Sequence, residues 1–511
     1  MSKFKNKMLL TAGFMAIVTL AAKALGLVRN SFLTAYFGSG MESDAFLTAS
    51  TLPTILFDVV IGGVISASFI PVFNDIMSKR GKNEAMKFVN KFVTLILCIS
   101  VLIMTVGIIF RGPLVAIQVP NYTPEKQALT AELTAIMFPM IIFTGLAFSF
   151  VGLLQSFGEY KIPAMISLVS NAAIILYYIF FGKKFGVYGL SITMVIAWSL
   201  QFLIQIPWIR KFGVRFRFDF RFKDSGIKQT LLLAGPMLIS TWVQPLYSLV
   251  NQRFASNIDS AVTYIQQSNQ LYIMVVGVFS FIVTNLIFPK LAQAVAGNNM
   301  AEAKRLTVSS IRAIVLIIAP LMAGFMILSK PVSDIIYGYG KMDEAGVEAI
   351  SVLLKYYSVG MLGLGLNEIL SKAFFSLQDS KTPMRNSVVS MVVNIVLAYI
   401  FYNFMSTNGL ALAAACGSIV NAALNWFCMV RKYPDMIRKN DIKNMLFSVL
   451  AAALMGVVVY IVYISISGRF DSLLGNIIVC AVCGAIGVIA YAVTAYIFGI
   501  DEVRMIIKKK E

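Results

Sequence analysis

The sequence predicts an all-α polytopic membrane protein: about fourteen transmembrane helices, arranged as two parallel six-helix lobes around a central cavity with two further helices after them. Three observations carry this. Hydrophobic residues make up 58% of the 511 and charged residues only 13%, with a mean hydropathy of +0.80, so there is too little polar surface to wrap a soluble core. The apolar runs recur at about 20 residues each, the length that crosses ~30 Å of hydrocarbon at 1.5 Å rise per residue. In lipid every backbone group needs a partner, which makes such runs helices rather than isolated strands.

The first run, Met8 to Val28, follows Lys3, Lys5 and Lys7. It is too long for a signal peptide, lacks a small-x-small cleavage pattern and ends in a charged stretch, so it reads as a retained helix. Further spans follow near 45–74, 86–110, 129–156, 162–182, 185–208, 229–252, 265–289, 307–329, 349–377, 383–404, 409–430, 443–467 and 473–499. An even number puts both termini on one side. Alternate loops hold Lys79, Arg80, Lys82, Lys161, the basic run 210–228, Lys304, Arg305, Lys381, Arg385, the run 431–443 and the tail 504–510. They outweigh the cations of the opposite loops by roughly three to one, which sets both termini in the cytoplasm.

The chain also repeats itself. Ser156-Phe-Gly-Glu-Tyr-Lys161-Ile-Pro163 aligns with Ser376-Leu-Gln-Asp-Ser-Lys381-Thr-Pro383 at an offset of 220, and Gly189-Leu190 with Gly409-Leu410 at the same offset. Near an offset of 222, Ala12-Gly13 matches Ala234-Gly235 and Leu27-Val28 matches Leu249-Val250. Six spans per repeat is an even number, so the halves share topology. This divides the chain into a lobe at 1–208, a basic linker at 209–228, a second lobe at 229–430, and two extra helices with a basic tail at 431–511. The linker alternates Phe212, Val214, Phe216, Phe218, Phe220 and Phe222 with Arg215, Arg217, Asp219, Arg221 and Lys223. A period of two is an extended strand-like piece with rings in the acyl boundary and arginines at anionic headgroups.

Composition excludes several chemistries. The net charge of +19 sits in short loops between spans, the pattern of a membrane address rather than of nucleic-acid binding. With no histidine and five cysteines inside apolar runs, zinc sites and His-dependent acid–base catalysis have no residues to use. The Cys480-x-x-Cys483 pair reads as small helix-packing residues rather than a redox pair. No paired carboxylates point to an enzyme, and no cofactor is implied.

Charges inside spans carry the functional signal, since each costs about 2.5–3.5 kcal/mol near the bilayer centre unless partnered or hydrated. Lys23 and Arg29 flank Gly26 with no acid in their helix; at about 120° apart they share a ligand only across a wide cavity or a distorted helix. Snorkelling to the interface is the alternative for both. Asp44 reads either as a helix-terminal cap or as a polar ligand, Asp58 as a partner for a first-helix cation, and Glu368 with Lys372 as an i,i+4 ion pair. Gly26, Pro53, Gly62, Gly63, Pro236 and Pro245 are hinge candidates.

The block from Ala22-Lys-Ala-Leu-Gly26-Leu-Val-Arg29-Asn30 through Tyr36-Phe-Gly38 and Asp44-Ala-Phe46, with Leu52-Pro53 and Ser68-Phe-Ile-Pro71-Val-Phe73, resembles the MurJ (MviN) lipid II flippases of the multidrug/oligosaccharidyl-lipid/polysaccharide exporter superfamily. Arg253-Phe-Ala-Ser256, Gly277-Val-Phe279 before Pro289, and Phe374–Pro383 continue the match. The resemblance implies a flippase of the bacterial cytoplasmic membrane that moves undecaprenyl-diphosphate-linked peptidoglycan precursor to the outer leaflet for cell-wall synthesis. It also implies a cationic cavity for the diphosphate and a groove on the last two helices for the isoprenoid tail. Arg29, Lys23, Asp44, Asn30, Arg253 and Gln270 are the substrate-binding candidates it supplies. Phe57-Asp58, Gly62 and Gln270 depart from the family's charged pattern, and Lys23 replaces an arginine, keeping attraction but losing bidentate geometry. The protein is expected to act as a monomer among anionic lipids, driven by an unassigned coupling ion or the membrane potential. A flippase for another polyprenyl-diphosphate oligosaccharide and a cation-coupled drug antiporter are the alternatives; the purely cationic first helix disfavours the antiporter.

Overall fold

The computed structural model describes the backbone of residues 2–62, 68–434, 436–467 and 472–508, with side chains except at 2–12, 62, 235–241, 243–244, 285–286 and 505–508. The described residues are helical, with no strand among them. Two compact units divide at Thr263 and Tyr264.

The first unit opens with α1 (Ser2–Phe37), turns at Gly38 with φ 70°, and continues in α2 (Met41–Phe57) and a π-helical turn at Asp58–Gly62. Next come α3 (Ile70–Ile109), α4 (Arg111–Gln118), α5 (Pro124–Met137), α6 (Met140–Ser156), α7 (Lys161–Phe180), α8 (Gly182–Leu203) and α9 (Ile206–Lys211). After the linker, α10 (Ser225–Thr241) and α11 (Val243–Ala255) lead to the first turn of α12 (Ala261–Ala296). The rest of α12 belongs to the second unit, with α13 (Met300–Tyr337), α14 (Glu344–Ser358), α15 (Met361–Ser376), α16 (Lys381–Met405), α17 (Thr407–Lys432), α18 (Lys439–Ser467), α19 (Leu473–Ile497) and α20 (Asp501–Lys508).

Among the described residues eleven helices are long and apolar enough to span a membrane, and thirteen when the bent pairs α5/α6 and α14/α15 each count as one. The difference from fourteen lies at 229–252. That run is interrupted at Trp242, and neither α10 (17 residues) nor α11 (13 residues) is long enough alone.

The repeat is written into the backbone. The two bent pairs break by 40° and 49° at matching places. After α6, Gly158 N donates to Gln155 O and Glu159 N to Leu154 O; after α15, Gln378 N donates to Phe375 O and Asp379 N to Phe374 O, each pair 220 residues apart. Gly158 and Gln378 both take positive φ, 78° and 61°, as this helix stop requires. At the next turn Gly186 (φ 56°, ψ −151°) has its counterpart in Ser406 (φ 56°, ψ −135°). The shared Gly-Leu follows three residues on because a side chain there has no room: a Cβ on Gly189 would lie 2.5 Å from the Tyr177 hydroxyl, and one on Gly409 2.3 Å from Phe401 O.

A non-glycine residue in this left-handed region is strained by about 1–3 kcal/mol. Ser406→Gly is therefore expected to raise the thermal midpoint in detergent by the equivalent of about 1 kcal/mol, and Gly186→Ala to lower it.

The first unit's core is aromatic. Phe69, Phe73, Phe88 and Phe92 are buried, with the Phe69 and Phe92 rings 4.6 Å apart. Small residues let α6 lie close on α3: a Cβ on Gly145 would sit 2.9 Å from Ile96 and Ser100, and one on Gly152 3.0 Å from Phe69.

The linker is extended, as its period-two pattern predicts. Arg217 N donates to Asn90 Oδ1 (3.2 Å) and Asp219 N to Thr94 Oγ1 (3.1 Å), both on α3. The registers match, since two extended residues span about 6.6 Å and four helical ones about 6 Å. Lys82 Nζ holds Phe212 O at 3.1 Å, and Lys91 pairs with Asp224 at 2.6 Å. Phe218 and Phe220 stay 63% and 65% exposed.

Candidate functional site

Arg29 lies on α1, half-buried, and its guanidinium is held by amides. Nε and Nη2 donate to Asn30 Oδ1 at 3.1 and 3.0 Å, and Nη1 to Asn171 Oδ1 at 3.1 Å. Asn171, on α7, is itself fixed by donating to Ala22 O at 3.0 Å. Arg29 makes no ion pair among the described residues. Its charge is therefore oriented but not neutralised, and two of its five N–H donors are left for another acceptor. Such a group grips phosphate or carboxylate oxygens in paired geometry.

Lys23 is half-buried on the same helix. α1 passes through Gly26 without interruption, so no distortion there draws Lys23 toward Arg29, and about 120° separates them around the helix.

Asp44 neither caps α2 nor lies open to a ligand. It is fully buried, with Oδ2 2.7 Å from Lys126 Nζ, while Oδ1 accepts from Thr263 N (2.8 Å) and Thr263 Oγ1 (2.5 Å). Lys126 is only 4% exposed, sits 4.2 Å above the Tyr122 ring and has Asp259 3.7 Å away. A polar seam continues from there: the Tyr122 hydroxyl meets Thr48 Oγ1, Gln118 Nε2 bonds Gln252 Oε1, and Gln252 Nε2 donates to Thr51 Oγ1. Arg253 is exposed and donates from Nη1 to Ile117 O at 3.0 Å. Gln270 is half-buried on the part of α12 that belongs to the second unit.

The hinge candidates divide. Pro53 sits inside α2, and the irregularity comes later, in the π-helical turn that includes Gly62. Gly63 lies outside the described residues. Pro236 is within α10; Pro245 occupies the first turn of α11, where a missing N–H has no intrahelical partner to lose. The two irregular places are joined, because Trp242 Nε1 donates to Val59 O at 2.9 Å. A π turn leaves carbonyls displaced from the regular ladder, and the indole takes one of them.

Sequence reasoning missed Asn171, Lys126, Thr263 and Trp242. In the sequence Lys126 is one cation among those of the opposite loops, and its burial follows from the Thr123 cap and Pro124 that start α5 beside Asp44. A lone amide in an apolar run was the one signal for Asn171.

In the second unit α13, α18 and α19 enclose an apolar cavity of about 620 Å³ lined by Leu321, Phe325, Met455, Val459, Gly484 and Gly487 among others. Buried Cys483 belongs to this lining, and all five cysteines are unbridged thiols. Below it Arg312 of α13 bonds Asp441 (3.4 Å), Asp501 (2.8 Å) and Glu502 (2.9 Å), tying α18 and α20 to α13. Glu368 and Lys372 form no ion pair among the described residues; Lys372 Nζ lies 5.9 Å from the Phe288 ring centre, a cation–π contact that takes the place of the expected i,i+4 bridge. No cluster of metal-ligating side chains occurs among the described residues.

The helical fold, with an unneutralised guanidinium on one membrane helix and an apolar groove between three others, is that of a multi-pass membrane transporter. The fold matches a lipid II flippase MurJ in an inward closed conformation, with a TM-score of 0.82, 22% identity, and 95% of this chain and 98% of that one covered. An inward-facing multidrug resistance MATE family transporter of the MOP superfamily matches with a TM-score of 0.68 at 14% identity, over 82% of this chain and 98% of that one. The model of the family "Lipid II flippase MurJ" matches residues 33–479, and this chain belongs to that family. A probable lipid II flippase MurJ of Buchnera aphidicola subsp. Acyrthosiphon pisum is 25% identical over 452 residues, 88% of each chain. The lipid II flippase MurJ of Burkholderia cenocepacia is 25% identical over 415 residues, 80% of each.

Proposed function

We propose that this chain carries lipid II, a polyprenyl-diphosphate-linked peptidoglycan precursor, from the inner to the outer leaflet of a bacterial cytoplasmic membrane by alternating access, and so supplies cell-wall synthesis. The observation that carries this reading is Arg29, fixed by Asn30 and Asn171 with its charge unspent, in a chain of the lipid II flippase family. Its two remaining N–H donors suit a diphosphate oxygen pair. Lys23 adds attraction, and Arg253 is a further cation of the same unit. The apolar groove between α13, α18 and α19 suits the isoprenoid tail. Asp44 works in this reading through its bonds to Lys126 and Thr263, as a latch that holds the first turn of α12 in one state.

The repeats at 1–208 and 229–430 act as the moving halves, with the linker at 209–228 between them in sequence and 431–511 supplying the tail groove. The positive-inside bias supports both termini in the cytoplasm, with α10 and α11 together making the fourteenth crossing. The protein acts as a monomer among anionic lipids, without catalysis or cofactor, driven by an ion gradient or the membrane potential. Depleting the protein in its host is expected to leave lipid II trapped in the inner leaflet; unchanged exposure of lipid II at the outer surface would overturn the proposal. The uncharged Gln270 and Gly62 favour one second reading, a different polyprenyl-diphosphate oligosaccharide. Headgroup exchange in reconstituted vesicles separates the two.

A further inference from the structure

We propose that the first unit holds a separate binding site for one anionic phospholipid, formed where the extended linker crosses α3, α6, α8 and α9. It goes beyond the transport reading, because it uses other residues and a ligand that is not transported.

A cavity of about 680 Å³ opens there. Its walls are apolar side chains of three helices, Leu97 of α3, Leu146 and Phe150 of α6, and Phe202 of α8, with Ile206 at the start of α9. Pockets of this size take ligands on the scale of a lipid chain, and these walls offer such a chain nothing but hydrocarbon contact. Arg210 and Arg215 also line it, both exposed, and neither forms an ion pair among the described residues. The nearby acids are already engaged. Asp219 is bonded by Arg221 at 2.8 Å, and Asp224 by Lys91 at 2.6 Å. What remains on the exposed part of the lining is two planar guanidinium groups, which match a phosphate diester, beside apolar walls that match an acyl chain.

The site is built rather than incidental. The stretch that carries Arg215 is fastened on both sides, by Lys82 on Phe212 O and by Asn90 and Thr94 on the backbone of Arg217 and Asp219. Phe212 also stacks on Phe157 at 4.8 Å and 7°. Exposed Phe218 and Phe220, both apolar and next to these cations, mark the level at which aromatic rings meet acyl chains. Under the orientation proposed above this is the cytoplasmic leaflet, where anionic lipids concentrate basic segments. Charge and apolar shape together select an anionic phospholipid over a free anion, which would leave the pocket empty, and over a zwitterionic lipid, which gains less from two arginines.

The test is native mass spectrometry of the full chain released from nanodiscs of equimolar phosphatidylglycerol and phosphatidylcholine. Two arginines at about 1 kcal/mol each predict roughly 30-fold preferential retention of one phosphatidylglycerol. R210Q/R215Q is expected to bring retention near parity. L97W/L146W, which puts two indoles into the apolar part of the cavity and keeps every charge, is expected to weaken retention of the lipid as well. Lys304→Gln with Arg305→Gln, equally basic but elsewhere, is expected to leave retention as in the wild type. Equal retention of both lipids by the wild type, undiminished retention in L97W/L146W, an equal drop in the Lys304/Arg305 variant, or displacement by inorganic phosphate each overturns the proposal. None of these readouts involves lipid II transport, so failure here leaves the flippase reading standing, and the reverse.

Discussion

Asp44→Asn is expected to destabilise the protein by about 3–5 kcal/mol, because it leaves the buried Lys126 ammonium with only the solvent-exposed Asp259, 3.7 Å away, as a charged partner. Lys126→Met should cost a similar amount by leaving the Asp44 carboxylate to Thr263 alone. The ion pair itself contributes much less than either loss. Its Coulomb attraction is largely offset by the desolvation of two charges, so D44N/K126M, which removes both, is expected to recover most of the stability that either single variant loses. Thermal unfolding of the four proteins in one detergent checks this. Equal and additive losses in the double variant would show that the two side chains act separately. If the pair is a latch, the double variant should also shift the balance between transport states while remaining folded.

Arg312→Met is expected to cost about 2–3 kcal/mol. The guanidinium and Asp441 are each 14% exposed and Glu502 24%, which puts this cluster between a buried pair and a surface one; Asp501, at 45%, contributes least. Three carboxylates would then face each other unneutralised, and α20 should detach first, since few other contacts hold it. The effect is readable as faster proteolysis after residue 497, with the rest of the chain protected. It also has a pH signature. The hydrogen bond from Arg312 holds the Asp501 carboxyl below the usual carboxylate range. A depressed folded value means the stabilisation is complete above the unfolded value of about 3.9 and is lost as pH falls through the folded one. Acid below about pH 4 should release α20 in the wild type, whereas Arg312→Met should show no such transition.

Much of the fold was legible because membrane helices announce themselves by length and hydropathy, and because the repeat preserves turn chemistry. The Ser156–Pro163 and Ser376–Pro383 matches mark one helix stop built twice, down to the positive φ at Gly158 and Gln378. The interruption at Trp242 was not legible. Hydropathy reports that a segment can sit in lipid, not where its backbone ladder breaks, and Pro236 and Pro245 pointed to either side of the break rather than to it. Of the candidate site, Arg29 was legible, because its isolation in an apolar helix is a local fact. Asp44 was not, as its partners Lys126 and Thr263 lie 82 and 219 residues away. Arg312 went unread for the same reason, since its acids are 129 to 190 residues distant.

Lipid II translocation by Arg29 variants in proteoliposomes tests the central claim most directly. Losing two charge-assisted hydrogen bonds to a diphosphate, at about 1.5–3 kcal/mol each, predicts that Arg29→Ala slows translocation by at least about 100-fold. Arg29→Lys should retain part of the rate, and Asn171→Leu, which removes one of the two amides that orient the guanidinium, should fall between them. Translocation by Arg29→Ala at the wild-type rate, in folded protein, would contradict the account.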